Sequence, residues 1–347
     1  MGFRSANVGA SLRESEVRGK VKGAVAVRRW FALAEDALET HRERLNRLNV
    51  YPVPDSDTGS NMLATIRASR AALERTDQDD LGALLGAAGA QAMGSAHGNS
   101  GTLLAVLISG FAEPLHGEHR LTVKALSRGL DRASLRGWSA LSQPVTGTML
   151  SVLDAARDQA RSCAAAAPEP DSRAAVEAAL PKVVHAAREA VAQTEQQLPE
   201  LTRAQVVDAG GLGLLLVLDA LSATVRAEQV DHHLMQGLSG WGASPDQKTS
   251  AGPPGRGPGA GNEAAPPMSG VELMCTVQLS PLQAAGLRHR LDELGDSVII
   301  TPIGSETVSD GRLRWRIHIH TMDSEETLRT VQEAGPLESS STSLLSR

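Results

Sequence analysis

From Gly252 to Gly270 the chain reads GPPGRGPGAGNEAAPPMSG, too rich in glycine and proline to hold a regular element or bury a core. A chain of 347 residues interrupted there is expected to fold as two units. The flanking segments obey different periods. Upstream, apolar residues recur at helical spacing, most plainly at Val27, Trp30, Phe31, Ala34, Leu38, Leu45 and Leu48. Downstream, Val271–Leu279, Ser297–Ile303 and Leu313–Thr321 read as strands, with helices at 281–294 and 324–334.

The spacing predicts helices near 24–46, 58–75, 80–93, 101–113, 121–137, 146–163, 171–194 and 210–225, with Pro181 kinking or splitting the seventh. The expected organisation is an N-terminal extension at 1–23 and a helical unit at 24–237. A linker at 238–270, a small α/β unit at 271–336 and a disordered tail at 337–347 follow. The serine-rich ending SSSTSLLSR carries too little apolar surface to predict order.

Composition narrows the function classes. Thirty-four basic against forty acidic residues give a net charge of −6, which argues against a nucleic-acid partner. Three Phe, four Trp and one Tyr leave no platform for stacking bases. Two cysteines, Cys163 and Cys275, make no disulfide framework. No apolar run reads as a membrane span and Met1–Ser15 lacks a signal-peptide core, so a cytoplasmic protein is expected.

The most unusual segment is NVYPVPDSDTGSNM at 49–62. Its spaced prolines force an extended approach, and Asp55 and Asp57 then stand at i and i+2 just before a helix. Two carboxylates on a stiff turn repel unless a cation offsets them, and magnesium suits oxygen ligands shared with phosphates. Helix capping by Asp57 or Thr58 explains much of the same pattern. The tetrapeptide Asp57-Thr58-Gly59-Ser60 also spells an aspartic-protease motif, but it lies among helices and has no second copy.

Three further joints precede helices: GSAHGNSGT at 94–102, PVTGT at 144–148 and VVDAGGLG at 206–213. Small residues there let backbone N–H groups approach an anion at a helix start. Each alone reads more readily as a turn than as a ligand loop. Neither a Walker nor a GxGxxG fingerprint is present, which excludes a P-loop or dinucleotide fold.

Together, NVYPVPDSDTGSNM, HGNSGTLL, GTMLSVLDAA and VVDAGGLGLL resemble, in order, the nucleotide-binding L-subunit (DhaL-type) domain of the dihydroxyacetone kinase family. The form they most resemble is the FakA-type component of bacterial fatty acid kinases. The resemblance implies a mainly α fold, an eight-helix antiparallel barrel binding Mg-ATP at one end. Magnesium would fall to Asp55 and Asp57, with Asn49 as a further ligand. Nucleotide contacts map to Thr58, Gly59, Ser60, Asn61, Gly98, Asn99, Ser100, Thr102, Gly147, Thr148, Asp208, Gly210 and Gly211. No protein nucleophile is implied, because phosphoryl transfer rests on metal and positioned donors.

Three positions depart from the family pattern: Ser56 replaces a glycine, His97 an arginine and Thr146 a glutamate. In the second unit Cys275, His318 and His320 offer zinc-type ligands, against a bland reading as a buried thiol and packed or surface histidines. The family's Cys and His-x-His-Thr stretch favours zinc, with His289 as one candidate fourth ligand. Full-length relatives are expected to continue into a third, C-terminal domain.

The activity implied is an ATP-dependent kinase component. Its acceptor would be a fatty acid presented by a DegV-like carrier, giving an acyl phosphate. Dihydroxyacetone (glycerone) kinase chemistry and a non-catalytic nucleotide-binding regulator are the alternatives. A homodimer is compatible with the resemblance.

Overall fold

A computed structural model describes residues 23–231, 233–242 and 270–345. The expected extension at 1–23, apart from Gly23, and most of the expected linker lie outside these residues.

The first unit is a ring of helices. It comprises α1 (Gly23–Leu48), α2 (Thr58–Leu73), α3 (Leu81–Ser95), α4 (Gly98–Ala112), α5 (Val123–Ala140), α6 (Met149–Ala166), α7 (Arg173–Gln197), the single-turn α8 (Pro199–Ala204) and α9 (Ala209–Arg226). Each long helix packs on the next, and α9 closes the ring by packing on both α7 and α1. Short connections make successive helices antiparallel. The eight long helices match the expected barrel, and α8 is an extra turn in the last connection.

The amphipathic stripe predicted for α1 is the face it buries, with Trp30 donating its indole N–H to the Val217 carbonyl at 2.9 Å. Helix α9 is long and apolar enough to cross a membrane, but 83% of it is buried against the neighbouring helices. Its hydrophobicity is accounted for by core packing. Pro181 lies inside α7 and does not end it.

The second unit is built as β1 (Val271–Leu279), α10 (Pro281–Leu294), β2 (Gly295–Thr307), β3 (Leu313–Thr321), α11 (Ser324–Ala334) and β4 (Leu337–Leu344). The sheet order is β2-β3-β1-β4 with every neighbouring pair antiparallel, a ferredoxin-like βαββαβ arrangement. Helix α10 starts where predicted because Ser280 and Gln283 form a reciprocal capping box around Pro281 at the first helical position.

Two expectations differ from the structure. The tail expected to be disordered forms β4, pairing with β1 from Val271↔Leu344 to Val277↔Leu337. An edge strand is held by its backbone, so a serine-rich segment can fill it, although most of its residues are exposed. The linker is expected to begin at 238, yet Leu238 and Trp241 are buried in the helical core. The Arg44 guanidinium sits 5.0 Å from the Trp241 ring centre, and Val207 N–H bonds the Ser239 carbonyl. Two isolated apolar anchors in a polar run carry no periodicity.

The units touch through the sheet face not covered by α10 and α11. Ile299 of β2 buries among Met93, Ala96, Val106 and Ala140. Leu141 forms a β-bridge to Ile299, and Ser142 N–H donates to the Val298 carbonyl at 3.0 Å.

A candidate ligand site between the two units

The acidic turn lies at the open end of the ring. After the cis Tyr51–Pro52 peptide the chain runs to Ser56, whose φ of 57° lies in the left-handed region. Glycine, the residue that the family pattern carries here, adopts that conformation without a Cβ penalty. The left-handed residue reverses the chain so that the carboxyls of Asp55 and Asp57 hydrogen-bond to one another. Burial first, then the Asp57 charge and that hydrogen bond, push Asp55 up to about 7. Asn49 is buried and donates its amide N–H to Asp55 Oδ1 at 2.5 Å.

Asp57 occupies the N-cap position of α2, but its side chain makes no capping bond. That distinguishes it from Asp80, which caps α3 by accepting from Ala83 N–H. Capping does not account for Asp57. Two carboxyls crowded together beside an amide, one lacking its expected bond, fit a hard divalent cation as a donor set.

The other joints converge on the same place. Asp55, Asp57, Thr58 and Asn49 line a cavity of about 300 Å³ together with Asn99, Ser100, Thr148, Asp208 and Gly210. The starts of α2, α4, α6 and α9 therefore meet at one mouth, where the first N–H groups of each helix have no partner within the helix. Asn99 Oδ1 is buried without a partner. Asp208 plays a second part: it caps α9 by accepting from Gly211 N–H at 2.6 Å, and burial raises its pKa to about 6.

The remaining expected ligand residues stand outside the cavity lining. Ser60 is bound to Asn46 by two hydrogen bonds, at 2.9 and 3.1 Å. A Cβ on Gly59 would lie 2.4 Å from the Arg42 carbonyl oxygen, so this glycine permits α1 and α2 to approach. Gly98, with φ of 61°, sits against the Asn61 amide, and Gly147 (φ 85°) forms the turn before Thr148. Thr102 is fully buried, and Gly211 packs beside Val152. His97 and Thr146 are exposed and do not line the cavity.

The sequence missed one wall altogether. Asp292, Asp296, Ser297 and Val298 of the second unit complete the cavity, and Asp292 Oδ1 is buried with no partner. No local pattern marks these residues, because docking of the two units puts them there.

The zinc set expected at Cys275, His318 and His320 is corrected by the pleat of the sheet. Cys275 pairs with Ile317 on the face covered by α10 and α11, while His318 pairs with Met274 on the opposite face. Burial pushes the thiol up to about 12. His289 is exposed on α10 near Glu293. Glu272, which sequence reasoning passed over, stands beside the histidines instead: ligand atoms of Glu272, His318 and His320 lie within 4.8 Å of one another. Burial alone would raise the Glu272 pKa, but His318, Ser343 and the Gly98 N–H hold it below the usual carboxylate range.

A closed helix ring with four helix starts and a carboxylate pair at one mouth defines a helical ligand-binding domain, followed by a small αβ domain that covers the mouth. The DAK2 domain model matches residues 52–223, and the model of the FakA-like (fatty acid kinase) middle domain matches residues 270–345. The chain belongs to the DhaL-type (DAK2) family and carries the middle domain of its FakA-like branch. Protein YloV of Bacillus subtilis is 27% identical over 311 residues, 86% of this chain and 51% of that protein. An uncharacterized protein of Staphylococcus epidermidis is 32% identical over 201 residues, 56% of this chain and 34% of its own length. The chain thus spans about a third to a half of these relatives. Among solved structures, the dihydroxyacetone kinase from C. freundii in complex with AMP-PNP and Mg2+ aligns at a TM-score of 0.43. It shares 22% identity and covers 64% of this chain and 38% of that one.

Proposed function

We propose that this chain binds Mg-ATP in the cavity between its two domains and acts as the phosphoryl-donating component of a kinase. The observation that carries the reading is the Asp55–Asp57 pair, free of capping duty, at the mouth where four helix starts meet. Membership of the DhaL-type family supports it. Asp55 and Asp57 would hold magnesium, with Asn49 orienting Asp55. Bound there, magnesium would neutralise charge on the phosphates and on the group being transferred.

The chain's own residues orient the donor. The starts of α4 and α6 bring Asn99, Ser100 and Thr148 to the cavity lining, side chains whose amide and hydroxyl groups suit phosphate oxygens. Asp208 keeps the Gly210-Gly211 start of α9 in place by capping. The low polarity of Leu103, Leu141 and Val145 in the same wall limits water near the reacting group.

The acceptor is a fatty-acid carboxylate held by a DegV-like carrier, a cytoplasmic reaction yielding an acyl phosphate. The FakA-like middle domain supports this choice over dihydroxyacetone. Incubating the chain with ATP, magnesium and a loaded carrier should form acyl phosphate, and Asp57→Ala should abolish it. Equal absence of product with both proteins refutes the kinase reading.

One observation favours a second reading. The family resemblance places Arg and Glu where His97 and Thr146 stand, in the turns that lead into α4 and α6. A site without those charges suits a nucleotide-binding regulator. Tight Mg-ATP binding with no transfer to the carrier would establish it.

A further inference from the structure

Two of the four joints that line the cavity are held by the small domain. The Gly98 N–H, first in α4, donates to Glu272 Oε1 of β1 at 2.6 Å. The segment from Leu141 to Thr148, which leads into α6, is held to β2 by the Leu141–Ile299 bridge and the Ser142–Val298 hydrogen bond. The residues next to these anchors, Asn99, Ser100 and Thr148, face the cavity.

Glu272 is a fixed anchor. It is 8% exposed, accepts from Ser343 of β4 at 2.7 Å through Oε2, and lies 3.1 Å from His318 Nδ1. A buried carboxylate whose two oxygens are both bonded is strongly disfavoured once its partners are pulled away, because its charge is then left buried and uncompensated. Gly98 takes a φ of 61° against the Asn61 amide, where a Cβ would clash, so the turn has no side chain of its own to hold it.

We propose that Glu272 is a positioning residue for the cavity's ligand: by holding the Gly98 turn it couples docking of the small domain to ligand binding at the helical mouth. The proposal rests on the nucleotide reading above for the identity of the ligand, but the coupling itself does not. Occupying the cavity then orders the small domain, and loosening Glu272 weakens the ligand. Asp292, Asp296 and Ser297 lining the cavity's far wall add direct contacts to the same coupling. By thermodynamic linkage the effect is reciprocal.

Hydrogen exchange on the full chain, with and without magnesium and AMP-PNP, tests it, together with calorimetric titration of Glu272→Ala and Glu272→Gln. Ligand should slow exchange in β1 and β2 as well as at 98–102 and 141–148. Glu272→Ala should weaken AMP-PNP about tenfold and speed exchange at 98–102 while α1 and α9 stay protected. Glu272→Gln, which keeps an oxygen for the Gly98 N–H, should lose about threefold or less. If Glu272→Ala unfolds the small domain, Ser343→Ala serves in its place, with faster exchange at 98–102 expected. Wild-type affinity in Glu272→Ala, or protection confined to the helical loops, overturns the proposal. Failure of the wild type to bind AMP-PNP would refute the nucleotide reading alone, since faster exchange at 98–102 in unliganded Glu272→Ala would still report the coupling, and unchanged exchange there would refute it.

Discussion

The carboxyl groups of Asp55 and Asp57 hydrogen-bond to each other across Ser56, and the pair keeps a proton on Asp55 up to about pH 7. An ordinary aspartate loses that proton near 3.8. The folded protein therefore binds more protons than the unfolded chain between those values, and without a cation its stability falls as pH rises through that window. Urea midpoints measured from pH 4 to 8 in EDTA should decline, and millimolar magnesium should reverse the decline at pH 7–8. Asp55→Asn should flatten the EDTA curve. A midpoint that rises with pH in EDTA through this group's window contradicts the assignment.

Asp57 and Asp208 are both N-caps, but only Asp208 uses its side chain as one. Asp208→Ala should cost about 1–2 kcal/mol of stability through the lost cap. Asp57→Ala should cost little stability and abolish the magnesium-dependent rise in melting temperature produced by ATP. Thermal melts of both variants, with and without Mg-ATP, separate the two roles. Equal destabilisation by both would place Asp57 among the caps.

Ser56 stands at φ 57°, where an L-residue is strained by about 1–2 kcal/mol. Ser56→Gly removes that strain at some cost in unfolded-state entropy, for a net gain of about 0.5–1 kcal/mol. Ser56→Val should lose stability, because a branched Cβ fits that conformation worst. Equilibrium denaturation of the two variants reads the signs directly.

Gly59 stands in the acidic motif, yet its Cα lies against the Arg42 carbonyl. Gly59→Ala should destabilise the α1–α2 contact by about 1–3 kcal/mol through overpacking. Stability unchanged in urea would mean the two helices have room to part.

Cys275 faces the apolar core shared with α10 and α11 rather than the histidines. Cys275→Ala should leave the zinc content of purified protein, whatever it is, unchanged. Loss of bound zinc in this variant, measured by elemental analysis, would restore the thiol as a ligand.

How far the sequence could be read depended on whether a feature was local. The helices that carry an apolar stripe were legible, as was α10, announced by Ser280, Pro281 and Gln283. The acidic turn was legible because proline spacing and paired aspartates are one contiguous motif. Features made by docking were not. Asp292 and Glu272 are ordinary in their own segments; only once the two domains meet does Asp292 line the cavity with Asn99 and Glu272 bond the Gly98 N–H. The face assignment of Cys275 failed for a related reason. His318 and His320 share a face by strict alternation, but the register against β1 that excludes Cys275 is set by pairing across the sheet. Strand β4 was missed because its order comes from backbone bonds to β1, which serine content does not reveal.

Calorimetric titration of the full chain with ATP, in magnesium and in EDTA, tests the metal-held nucleotide most directly. Wild type should bind saturably with one site and only in magnesium, and Asp55→Asn and Asp57→Asn should each lose at least tenfold in affinity. Binding that is indifferent to magnesium, or wild-type affinity in both variants, would contradict the account.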